Sequence, residues 1–127
     1  MSRYLVVFAG AIFCALGFLH ALFTLLDMRR PRRLAPENPD VVNAMASTGV
    51  RLSRGGTNMW DAWLGFNLSH ALGAMLFGAV CITAAMPLWI LTAVAAIYEV
   101  LALRFWFRVP AIGIGVAGLC LLIATLV

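Results

Sequence analysis

The sequence predicts an all-α integral membrane protein, a four-helix antiparallel bundle with a short amphipathic helix in its first cytoplasmic connection. Three observations predict it. The 127 residues are 64% hydrophobic and only 11% charged, whereas a soluble domain is about half apolar and a quarter charged. Four apolar runs each approach the roughly 20 helical residues that cross a bilayer. The arginines gather between those runs instead of covering a polar face. All nine basic residues are arginine, set against five acids. Such clustering reads as membrane topology and leaves no basic surface for nucleic acid. The chain length suits one domain.

The first span is expected at 4–28. Its apolar stretch is too long for the core of a signal peptide and lacks a small-x-small cleavage site after a short core. The second span is expected at 59–82, opened by Asn58 with Asp61 three residues on, a capping pair. The third runs over 87–107 and the fourth over 110–127, with Pro87 and Pro110 at first helical turns, where proline fits. Trp60, Trp63, Trp89 and Trp106 fall near span ends, as an aromatic belt does. Cys14, Cys81 and Cys120 are isolated in apolar runs without a CxxC, so they read as small buried hydrophobes and not as a disulfide or zinc site.

The connection 29–58 holds Arg29, Arg30, Arg32, Arg33, Arg51 and Arg54. Arg104 and Arg108 bracket the turn between spans three and four. Both connections fall on one side of a four-span chain, and the other side has only Arg3. Eight arginines against one place the rich side in the cytoplasm and both termini outside, in the periplasm of an inner membrane. The "RRPRR" stretch could also bind an acidic lipid or an acidic partner, but the topology signal is the favoured reading. Within the connection, Asn38, Pro39 and Asp40 resemble the start of a helix. Val41, Val42 and Met45 would form its apolar stripe.

Polar residues inside the spans carry the functional argument. Steps of three and four stay on one helix face. In span one they join Gly10, Phe13, Gly17, His20, Thr24 and Asp27. In span two they join Trp63, Asn67, His70, Gly73 and Phe77, and in span three Thr92, Ala95, Ala96, Glu99 and Ala102. Counting from the cytoplasmic span ends at 1.5 Å per residue puts His20, His70 and Glu99 at roughly 12–15 Å depth. Ser69, one position from His70, points about 100° away and can return its proton to the Gly65 carbonyl.

A charge at mid-bilayer costs about 3 kcal/mol or more, so such groups pair or serve a function. The cluster His20, Asn67, His70 and Glu99, with Trp63 beside it, is therefore the candidate ligand or cofactor site. Four readings follow. Two histidines could ligate haem b, with Gly17 and Gly73 leaving room for a flat ring. His20, His70 and Glu99 could hold a metal as two histidines and a carboxylate. The groups could bind an apolar molecule entering from lipid, by simple recognition or with acid–base chemistry. Or they could be interhelical glue in a non-catalytic accessory subunit of a larger membrane complex. Lipid-side ligand binding is the leading function, and the sequence assigns no catalytic residue.

The stretch "MWDAWLGFNLSHALGAMLFG" (59–78), preceded by "AMASTGVRLSRGGT" (44–57), resembles an uncharacterised family of small bacterial four-span membrane proteins. The shared pattern is Trp60 and Trp63, then Gly65, Phe66, Asn67, Ser69, His70, Leu72 and Gly73, after Gly17 and His20 in the first span. Asp61 departs from the basic residue of that pattern. The resemblance covers the first two spans. It implies fold and topology, and brings no activity with it.

Overall fold

A computed structural model describes residues 2–127. The chain is all-helical and has no strand among the described residues. Helix α1 covers Ser2–Arg29, α2 Pro39–Ser47, α3 Met59–Thr83, α4 Leu88–Phe105 and α5 Arg108–Leu126. A single 3-10 turn, Arg51–Ser53, lies between α2 and α3. Helices α1, α3, α4 and α5 are long and apolar enough to cross a membrane, as the four-span fold class requires. Large apolar side chains such as Phe66, Leu103 and Ile112 stay exposed along them. Hydrocarbon surroundings accommodate such faces without cost.

Span ends differ from expectation by a residue or two. Helix α5 starts at Arg108, so Pro110 is its third residue and not its first. The first-turn N–H groups of a helix have no internal partner, so proline anywhere in that turn removes no bond. Pro87 precedes α4 as its cap, with ψ at 139°, and its carbonyl accepts from the Ile90 and Leu91 N–H groups. The short helix α2 forms as expected, with the Asn38 side chain accepting from Asp40 N–H and Pro39 in the first turn. Val42 and Met45 are half-buried, while Val41 is exposed. The stripe on α2 is therefore narrower than its apolar residues suggested.

The chain divides into two compact units. The first comprises residues up to 17 and 73–127. Its core joins Val6, Ala9 and Phe13 of α1, Cys81 of α3, Leu91 and Ala95 of α4, and Ile114 and Leu121 of α5. Small residues let backbones approach. A Cβ on Gly10 would stand 2.6 Å from the Gly78 carbonyl oxygen, and one on Gly78 would stand 2.5 Å from that of Gly10. Only glycine at both positions permits that crossing of α1 and α3. Phe13 fills the space beside it, edge-on to Phe77 at 4.7 Å and to Tyr98 at 5.4 Å. Thr92 and Thr125 share a 2.9 Å hydrogen bond between α4 and α5.

The second unit, residues 18–72, contains the C-terminal part of α1, the connection with α2, and the N-terminal part of α3. Asn58 caps α3: its Oδ1 accepts from Asp61 N–H and its amide donates to the Asp61 carboxylate, each at 2.8 Å. An antiparallel bridge between Gly49 and Asn58 closes the turn before the helix. Arg54 and Gly55 adopt positive φ, 47° and 93°, and the glycine takes the angle without strain.

Candidate functional site

The expected face of α1 is realised. Gly10, Phe13, Gly17, Thr24 and Asp27 are buried and His20 is half-buried. On α3 the residues Trp63, Asn67, His70, Gly73 and Phe77 are all half-buried. On α4 the buried line is Leu91, Ala95 and Ala102, and Ala96 is exposed. The inward face there is thus turned slightly from the expected one.

In the second unit α1 and α3 meet through polar groups. His20 Nε2 lies 2.9 Å from Asn67 Oδ1. The Asn67 amide nitrogen donates to the Trp63 carbonyl at 2.8 Å. A carbonyl only accepts, so that bond fixes which end of the amide faces His20. The end facing His20 is an acceptor, and Nε2 must therefore carry a proton. His70 stands edge-on to the His20 ring, with centroids 5.5 Å apart. Thr24 returns its hydroxyl to the His20 carbonyl at 2.8 Å. Trp63 adds its carbonyl to the network, while its ring stacks on Trp60 at 5.1 Å. Ser69 is exposed and donates to the Phe66 carbonyl. The acceptor is three residues back and not the expected Gly65, but the hydroxyl is still satisfied within its own helix.

Glu99 belongs to the first unit. Its Oε1 lies 3.3 Å from where a Cβ on Gly115 would be, so that glycine makes room for the carboxylate. Its Oε2 is buried and has no hydrogen-bond partner among the described residues.

Haem and metal fare poorly in this geometry. Bis-histidine ligation needs both imidazoles to aim a nitrogen at one iron across a flat macrocycle. Here the rings touch edge to face, and His20 Nε2 is engaged by Asn67. This arrangement lends haem no support. Among the described residues no group of three His, Cys, Asp or Glu side chains is placed to hold a metal ion. The set His20, His70 and Glu99 gains no support as a metal site.

One residue was on the expected face but without a role: Asp27. It is fully buried, and its carboxylate accepts from the N–H groups of Arg32, Arg33, Leu34 and Ala35 at 2.7–3.2 Å. The signal was present, since an acid in the last turn of a helix opposes the helix dipole. Such a residue is expected to have partners beyond its helix. Comparison of the chain with protein-family models, with curated proteins and with solved structures gives no match in any of the three.

Proposed function

We propose that the protein binds an apolar small molecule bearing a polar group, recognised inside the membrane by His20, Asn67 and His70. The observation that carries this reading is the imidazole pair. Two rings 5.5 Å apart, one of them oriented by Asn67, sit between helices whose other faces are apolar. Ligand sites combine apolar walls with a few convergent polar groups in this way. An imidazole pair in such a place can also exchange a proton with the bound molecule, which is the acid–base element of the proposal. Glu99 is not needed for it. The resemblance to small bacterial four-span proteins and the arginine distribution support an inner-membrane location, with the 29–58 connection in the cytoplasm.

A competing reading is favoured by one observation. Asn67 bonds His20 and its own helix together, which is what interhelical glue in an accessory or assembly subunit would do. Native mass spectrometry of the protein purified from its own membrane in mild detergent separates the two. A small-molecule adduct that is lost in His70→Ala, with helicity unchanged, supports ligand binding. A stoichiometric foreign subunit without an adduct supports the accessory role and overturns the first reading.

A further inference from the structure

The buried carboxylate of Asp27 gives the arginine-rich connection a fixed shape. Four consecutive backbone N–H groups, from Arg32 to Ala35, converge on its two oxygens. Pro31 has no N–H to satisfy, and Arg30 N–H closes on the Leu26 carbonyl at 3.0 Å. Backbone donors are thereby consumed, while the side chains of Arg30, Arg32 and Arg33 remain exposed. The Arg33 guanidinium lies 5.8 Å from the centre of the Phe23 ring, one turn before Asp27.

A second arginine pair is held later in the same connection. The bridge from Gly49 to Asn58, with Met59 N–H donating to the Thr48 carbonyl, ties the turn carrying Arg51 and Arg54 to the start of α3. Between these arginines Leu52 is 95% exposed. The helix ends that flank the connection share a level. His20 and Asn67 pair across the two helices, Arg29 lies nine residues beyond His20, and Asn58 lies nine residues before Asn67. At 1.5 Å per residue both helix ends are about 14 Å from that bond.

Little nearby charge neutralises this end. The connection holds six arginines against Glu37 and Asp40. Asp27 is occupied by backbone and Asp61 by Asn58. Arg30, Arg32 and Arg33 follow α1 within four residues, and Arg51 and Arg54 lie eight and five residues before α3, within reach of the headgroup level at the ends of these membrane-length helices. Guanidinium forks match phosphate oxygens. An exposed leucine between two arginines suits the boundary where headgroups meet acyl chains.

We infer that the 29–58 connection is a dock for the headgroup of an anionic phospholipid. Arg32 and Arg33, held by Asp27, and Arg51 and Arg54 grip the phosphate, with Leu52 at the acyl border. The inference is independent of what binds at His20. Its test uses the full chain in nanodiscs of phosphatidylcholine mixed with phosphatidylglycerol, with bound lipid read by native mass spectrometry. Wild type should retain phosphatidylglycerol in preference. Arg32→Gln with Arg33→Gln should weaken that preference on the order of tenfold, and so should Arg51→Gln with Arg54→Gln. These side chains are exposed, so the variants should fold. Asp27→Asn keeps every arginine and should still weaken it, which bulk positive charge would not explain. Equal retention of both lipids by wild type overturns the dock. Displacement of the lipid by equimolar inorganic phosphate would show a free-anion site instead, and an acidic protein retained in place of lipid would show a protein-binding face. Either result also overturns it.

Discussion

Asn67 stands between a donor and an acceptor: its Oδ1 accepts from the His20 Nε2–H and its amide N–H donates to the Trp63 carbonyl. Replacing it with leucine keeps the volume and removes the Oδ1 acceptor of the His20 Nε2–H. Interhelical bonds of this type contribute on the order of 0.6–2 kcal/mol, so Asn67→Leu should lower stability by about that amount in reversible unfolding from mixed micelles. Ser69→Ala should change the same measurement by less than about 0.5 kcal/mol, because the hydroxyl is exposed and bonded only to its own helix. Equal damage from the two would mean that the inward face of α3 is misassigned. Glu99 and Gly115 make a second residue-scale test. A methyl on Gly115 would stand 3.3 Å from the carboxylate. Gly115→Ala should cost more in wild type than in a Glu99→Ala background, read as a non-additive double-mutant cycle.

Between elements, glycines decide how close helices come. At Gly78 an added Cβ would meet the Gly10 carbonyl oxygen at 2.5 Å and the Cys14 sulfur at 2.6 Å. Backbone cannot yield as a flexible side chain can, so Gly78→Ala should cost roughly 1–3 kcal/mol, the usual range for overpacking. Gly65 lies in the same helix with nothing within 4 Å of such a carbon. Gly65→Ala should be neutral or slightly stabilising, since alanine is the better helix former. Unfolding midpoints of the two variants, measured side by side, check the contrast. Asp27 governs a different element, the turn that leaves α1. Asp27→Asn puts an amide against converging N–H donors and should loosen residues 30–35. Limited trypsin digestion reads this directly: cleavage after Arg32 or Arg33 should be much faster in the variant than in wild type.

For the whole molecule, the testable quantity is topology. The three native cysteines are free and at least half-buried, so they can be replaced and a single reporter installed at the exposed Asp40. Asp40→Cys should resist a membrane-impermeant maleimide in intact cells and react after permeabilisation. Labelling from outside would invert the proposed orientation and show that the arginine count misleads here.

Composition and periodicity by themselves determined the all-helical class, the four membrane-length helices, the capped helix over 39–47 and the inward face of α1. These follow from local rules of length, apolar spacing and capping, which act within one segment at a time. The pairing of His20 with Asn67 was legible only as a shared face and depth. Which atom meets which, and the proton on Nε2, depend on two helices meeting at one register. Tertiary structure alone decided that Gly10 and Gly78 touch backbone to backbone and that Gly115 makes room for the Glu99 carboxylate. It alone gave Asp27 its partners in the loop that follows. The physical reason is common to all three. A glycine or a carboxylate in a helix records that something must come close, and only the packed chain determines what does.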